Sequence, residues 1–361
     1  MNKTLFKYLF KRTYPIILVV FAILLIVYPL PILFLKLNQS LITIGGDNTV
    51  FYNPYATTNL YNATIFLMIL AYILPVFIRS MILDKPKCDL YLALPIKKEK
   101  LFITTSLFTY LAMIASWTLM MFIGMAFTAI IHLPVHYGYY FLYTASMYLV
   151  SFGAFATSTL MSSLANNKFD AWLLAIIGVI LPLLLGLGVQ VLENRFDEVY
   201  YCAFSPIFAS NNITIFFEKS AIIYPDSVYN YFYTYLPNEL PQTNLAFTIS
   251  YISPLIIGIG FSGLSYLQTM KFKAENAGEL SSYKYSFKML LPILLFVVAY
   301  DSDLNHYFYT NDALSLISVL SYTTIFYFIL SFISKRKIKF DRWMVIFYFI
   351  AIGAAIGLRS F

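Results

Sequence analysis

Stretches of apolar residues, each close to the length of a bilayer-crossing helix, follow one another from residue 14 to residue 358. A helix needs roughly 20 apolar residues to cross about 30 Å of hydrocarbon. The stretches 14–35, 62–83, 101–131, 139–165, 171–192, 245–269, 283–300, 313–334 and 343–358 meet or approach that length. In lipid every backbone amide must be satisfied within the protein, so such stretches fold as α-helices. Only 11% of the residues are charged and 60% are hydrophobic, whereas a soluble domain carries about a quarter charged residues. No soluble core could absorb so much apolar surface. The expected fold is all-α: a polytopic integral membrane helix bundle with eight or nine transmembrane helices, residues 1–361 forming a single membrane domain.

The net charge of +7 raises the question of nucleic acid. The basic residues, however, are dispersed at segment ends and form no patch, which suits the inner rim of a membrane protein and excludes a nucleic-acid partner. Lys3, Lys7, Lys11 and Arg12 precede the first apolar run. That run is too long for a signal-peptide core and no small-x-small cleavage site follows, so it reads as a retained first helix. With the N-terminus inside, twenty basic residues fall on the inner side and four on the outer side, namely Lys36, Arg195, Lys219 and Arg359. Basic loops stay in the cytoplasm, so the chain is expected to be a multi-pass protein of the cell membrane with a cytoplasmic N-terminus. Segment 283–300 is apolar only over 289–300, and snorkelling of Lys284 and Lys288 would lengthen it. Were it not to cross, Lys335, Arg336, Lys337 and Lys339 would lie outside, so it counts as a span. Cys88 and Cys202 then fall on opposite sides, which excludes a disulfide between them.

The longest outer segment, 193–244, is acidic and rich in tyrosine. A structureless loop of that length would be unusual, and short helices lying at the outer interface are expected there. The spans hold essentially no ionisable residue at their apolar centres, where ion- and proton-coupled carriers need one. No GxxxxGK[ST] or GxSxG motif is present. His132 and His136, four apart but separated by Pro134, and Asp301 and Asp303 near His306 read as interfacial and solvated residues rather than metal or catalytic sites. No catalytic residue, metal ligand or cofactor of this chain's own is expected.

The inner loop 84–100 carries Asp89-Leu-Tyr-Leu-Ala-Leu94-Pro95-Ile-Lys-Lys-Glu-Lys-Leu101-Phe102. Pro95 disfavours helical geometry at Leu94 and suits a helix's first turn. A short amphipathic stretch over 87–93 is expected to break there, before a new helix runs into the third span. This segment resembles the inner loop of the permease subunits of bacterial type-2 ABC exporters: an acidic residue, a small-Leu-Pro-Ile step, basic residues, then Leu-Phe. A second inner loop, Lys271-Phe-Lys273-Ala-Glu275-Asn-Ala277-Gly278-Glu279, resembles a basic-x-x-Glu-x-Ala-Gly motif of the same class. Gly278 can end a short helix there, because glycine tolerates left-handed geometry.

The resemblance implies that loop 84–100 is a coupling loop docking onto a separate cytoplasmic ATPase subunit. Asp89, Leu90, Leu94 and Pro95 would shape it, Lys97, Lys98 and Glu99 would make polar contacts, and Lys271, Lys273, Glu275 and Gly278 would form a second cytoplasmic surface. ATP and magnesium would sit on the partner ATPase. Two permease subunits, identical or different, would form the pathway among membrane lipids and export an amphipathic substrate such as a peptide, an antibiotic or a lipid-like molecule. Such permeases often have six spans, so the helices of 283–361 are additional.

The alternative is a polytopic enzyme acting on lipid-linked substrates at the outer face. It is disfavoured because segment 193–244 holds Arg195 but no histidine. The small residues of the fourth span, from Ser151 to Ser158, and Gly353-x-x-x-Gly357 are close-approach patterns. They suit helix contact within the chain or between subunits.

Overall fold

The computed structural model describes residues 3–32, 55–80, 82–85, 88, 96–130, 137–192, 205–221, 244–279, 293–296, 298, 320–329, 332, 345–346, 348–350 and 352–353. Among these residues regular structure is helical and no strand occurs. The helices, in chain order, are α1 (Lys3–Val27), α2 (Tyr55–Ser80), α3 (Lys98–Ile130), α4 (Tyr137–Ser163), α5 (Lys168–Leu192), α6 (Pro206–Ala221) and α7 (Asn244–Lys271), with a 3-10 turn over Ala274–Asn276. A shorter apolar helix covers Leu320–Ile329. The described residues include four helices long and apolar enough to cross a membrane: Thr13–Ile32, Leu60–Arg79, Lys98–Ile130 and Thr248–Lys271. The segments 283–300 and 343–358 lie largely and 313–334 half outside the described residues, and His132, His136, Asp301, Asp303, His306 and Gly357 lie outside them.

The bundle is organised around α4, which packs against α2, α3, α5, α6 and α7, most extensively against α7. Its Ser, Thr and Tyr content makes it less apolar than the helices above, and its position explains why that is tolerated. Thr144, Ser151, Thr157, Ser158, Thr159, Ser162 and Ser163 are all buried. Most of these hydroxyls bond backbone carbonyls one turn back in their own helix, as Thr144 does to Tyr140 (2.8 Å), Thr157 to Gly153 (2.9 Å) and Thr159 to Phe155 (2.7 Å). Such bonds satisfy the hydroxyl without a partner helix. The peripheral faces carry the apolar surface instead: Val19, Ile26, Leu119, Phe122, Ile256 and Ile259 are exposed. Large apolar side chains facing outward on long helices are what lipid contact requires.

The small residues of α4 serve contact within the chain. A Cβ built on Gly153 would lie 2.8 Å from the Pro254 carbonyl oxygen of α7, so the two backbones meet there. Gly258 of α7 lies in turn against the Phe152 ring. At one end of the bundle, Val76, Leu83, Cys88, Leu164, Ala165, Ala171, Leu174, Phe272 and Ala277 form one buried cluster. Leu9, Leu101 and Phe108 form another, with Phe6, Ile82 and Ile96 against it. These clusters gather the start of α1, the end of α2, the start of α3, the α4–α5 turn and the end of α7. Lys7, Lys11, Arg79, Lys98, Lys168 and Lys271 therefore share one end, the basic end.

Segment 193–244 departs from expectation. Its described helix α6 does not lie on the surface but packs between α2, α4 and α7. Ala209, Ile213 and Phe217, spaced four apart, are buried on one face with Ser210 and Thr214 beside them. Thr214 donates to Thr64 of α2 (3.2 Å) and meets Tyr143 of α4 (3.2 Å), and Thr64 and Tyr143 also bond each other. This buried triad replaces solvent for the polar side of α6, so the helix can enter the bundle rather than rest at its rim.

Candidate functional site

Described residues of three loops meet at the basic end. The first joins α2 to α3, the second is the short α4–α5 turn, and the third follows α7. Each is tied to both of the others.

The first and third loops meet through Lys98, whose Nζ donates to the Phe272 carbonyl at 3.1 Å. Phe272 is the first residue past α7, and carbonyls at a helix C-terminus lack intrahelical partners and carry the negative end of the macrodipole. A lysine there satisfies the carbonyl and the field together. At the start of α3 the same cation would be unfavourable on its own, and Glu99 in that first turn offsets it.

The second and third loops meet backbone to backbone. The Gly278 amide donates to the Asn166 carbonyl at 2.8 Å, and the Asn167 Nδ2 donates to the Glu279 carbonyl at 2.9 Å. Gly278 adopts φ +86°, the left-handed region that favours glycine. That turn, two residues after the 3-10 helix, points its amide at Asn166. The first and second loops meet through the ion pair of Asp84 and Lys168, 2.6 Å apart with side chains about one-third and nearly one-half exposed.

Asn167 also caps α5. Its Oδ1 accepts the Asp170 amide (2.8 Å), and its Nδ2 donates to the Asp170 carboxylate (2.8 Å). Asp170, the third residue of the helix, is fully buried. A carboxylate in that first turn faces the positive end of the helix dipole.

The residues singled out from sequence divide accordingly. Lys97, Lys98 and Glu99 are exposed at the start of α3, and Lys271, Lys273, Glu275 and Gly278 are exposed in the third loop. The Lys98–Phe272 bond joins the two groups although the bonded residues are 174 positions apart. Asp89, Leu90, Leu94 and Pro95 lie outside the described residues, and so does the expected amphipathic stretch except for Cys88, which is buried. Sequence reasoning misses Asn166, Asn167 and Asp170. The available signal is Asn167-x-x-Asp170 directly before an apolar run, a helix-start pattern related to the capping box.

One recess lies at this end, and a second begins about a turn into α5 and extends toward the other end of the bundle. A cavity of about 50 Å³ lies beneath the platform, lined by Arg79, Lys98, Phe102, Thr105, Thr159 and Phe272 among others. A larger groove of about 240 Å³ runs between α2, α5 and α6. Ile69, Tyr72 and Ile73 form one wall, Trp172, Ala175, Ile176 and Val179 the second, and Ile207, Ser210 and Asn211 the third. It is apolar apart from a few hydroxyls and one amide. The Tyr72 hydroxyl is buried there with no hydrogen-bond partner among the described residues.

In comparisons with protein-family models, with characterised proteins and with solved structures, nothing matches this chain.

Proposed function

We propose that the chain is the permease subunit of an ATP-driven membrane exporter of the type-2 ABC kind. It would lie in the cell membrane with eight or nine spans and a cytoplasmic N-terminus. The platform at the basic end would receive a separate ATPase subunit through Lys97, Glu99, Lys271, Lys273 and Glu275. ATP binding and hydrolysis would occur on that partner, and this chain would convert its closure into helix movement.

The observation that carries this reading is the union of the two motif loops. Lys97, Lys98 and Glu99 of the first and Lys271, Lys273 and Glu275 of the second are far apart in the chain, charged and exposed, and the Lys98–Phe272 bond joins them. A surface of mixed charge on a rigid support suits polar docking, which gives specificity and orientation more than raw affinity. The apolar groove between α2, α5 and α6 supports the rest of the reading. It has the chemistry to hold an amphipathic molecule, apolar walls with few polar groups. It also offers a face on which a second permease subunit could complete a pathway.

Purification of the whole chain from its native host in mild detergent tests this. A stoichiometric co-purifying ATPase carrying a GxxxxGK[ST] motif is expected. Charge reversal at Lys97 and Lys273 together should lower its recovery at least tenfold while the chain itself stays folded. Purification without any such ATPase, repeated across detergents and nanodiscs, removes the proposal.

A further inference from the structure

The three-loop ring contains a member that the docking surface does not use, the turn Asn166–Lys168. It reaches the other two loops through the Asn166 carbonyl, the Asn167 amide and the Lys168 ammonium. Asn166 is buried and Asn167 half-buried. The Asn167 amide has two donor hydrogens, and both have acceptors: the Asp170 carboxylate and the Glu279 carbonyl. Its oxygen accepts the Asp170 amide. A helix cap needs only that acceptor. The bond to Glu279 is surplus to capping and reaches into the third loop. Lys168, the next residue, holds Asp84 of the first loop.

The turn continues directly into the groove. Trp172, Ala175, Ile176 and Val179, at helical spacing, form the α5 wall. From Asn167 to Val179 is 12 residues, about 18 Å of helix at 1.5 Å per residue. Over that length α5 is anchored on its other side by Ala171, Leu174 and Ile177, which are buried in the same cluster as Phe272 and Ala277. A displacement of either motif loop therefore acts on the first turn of α5, and a helix of that length transmits it as a rigid body.

We propose that Asn167 is a positioning residue that couples the docking platform to the groove: with Lys168, it passes movement of the two motif loops into α5 and shifts the α5 wall against α2. This rests on the function proposed above and assigns the transmission to particular atoms. The element that moves is α5, gripped at its N-cap, rather than α3, which the coupling loop feeds in sequence.

The test uses the full chain with its co-purified ATPase in lipid nanodiscs. Spin labels are placed at Ile69 and Ile176, exposed residues on facing walls of the groove, with Cys202 replaced by serine. The inter-label distance is measured without nucleotide and after trapping with Mg-ATP and vanadate. The parent is expected to change distance on trapping. In Asn167→Ser the serine keeps the capping acceptor but loses both amide-donated bonds, to the Asp170 carboxylate and to the Glu279 carbonyl. The ATPase should co-purify at parental stoichiometry and hydrolyse ATP within about twofold of parent, while the distance change falls by at least half. A second arm needs no change at Asn167. Asp84→Lys and Lys168→Asp should each lose the change, and the charge-swapped pair should regain it.

A full distance change in Asn167→Ser makes Asn167 a helix cap only and overturns the inference, as does a parent whose groove stays fixed while the ATPase is bound and active. Failure of the charge swap to restore the change overturns it too, and decides the matter if Asn167→Ser does not fold. A parent that binds no ATPase instead defeats the functional reading itself, and the inference with it.

Discussion

Gly278 sets the shape of the third loop through its backbone alone. Its φ of +86° lies in the left-handed region, and a Cβ added there would meet nothing nearer among the described residues than the Lys85 Cβ at 4.0 Å. Space is therefore available and only the conformation resists a side chain. Left-handed geometry costs an L-residue about 1–2 kcal/mol, less for asparagine, which tolerates it better. Gly278→Ala should lower stability by that amount, Gly278→Asn by less and Gly278→Val by more. The midpoint of thermal unfolding in detergent reads the order, and equal midpoints for all three would show that the loop does not hold this turn. The ion pair of Asp84 and Lys168 belongs to a different category. At about one-third and nearly one-half exposure, such a pair is worth about 0–1 kcal/mol, so its value lies in registering two loops rather than in holding the fold.

At the scale of the elements, the contact of α4 with α7 decides the packing, and two glycines on these helices make a controlled comparison. The Cβ of an alanine at position 153 would stand 2.8 Å from the Pro254 oxygen and 3.0 Å from its Cα. Those are backbone atoms of a packed helix and cannot step aside. Overpacking of this kind costs about 1–3 kcal/mol. At Gly260, also in α7, a Cβ would meet nothing within 4 Å among the described residues, and the change to alanine improves helix propensity by roughly 0.8–1 kcal/mol. Gly153→Ala should therefore lower the unfolding midpoint and Gly260→Ala should hold or raise it. The opposite order would show that α4 and α7 do not meet at Gly153. Helix existence was legible in the sequence because bilayer thickness imposes a length that apolar runs display. The central place of α4 was not, since the small residues from Ser151 to Ser158 favour a contact inside the chain without naming the helix that makes it. The burial of α6 was illegible for a related reason. Its stripe of Ala209, Ile213 and Phe217 is short and sits in an acidic, tyrosine-rich segment, and the partners that satisfy Thr214 come from α2 and α4, far away in sequence.

For the whole molecule, the informative property is that charge and packing agree on one end. Loop charge alone groups Lys97, Lys98, Lys168, Lys271 and Lys273 on one side. The helix directions and the ties of Lys98 to Phe272 and of Asn166 to Gly278 bring the same residues together. The ring itself could not be read in advance, because most of its acceptors are backbone carbonyls that every residue possesses. The sidedness of this end relative to a membrane is open to direct measurement. Single cysteines at Lys97 and Lys273 report the basic end, and one at Tyr137, exposed at the start of α4, reports the other. Cys88 is buried and needs no replacement, whereas Cys202 is changed to serine. A membrane-impermeant maleimide should label Lys97→Cys and Lys273→Cys only in inside-out vesicles, and Tyr137→Cys only in intact cells. Labelling of Lys97→Cys and Lys273→Cys from opposite sides would break the bundle as described, because their loops share the Lys98–Phe272 bond. Labelling of both from outside would keep the bundle but turn it over, and a cytoplasmic ATPase could not then reach the platform. The positive-inside rule predicts the first result, since turning the chain over would place the twenty basic residues of the inner segments on the outer side.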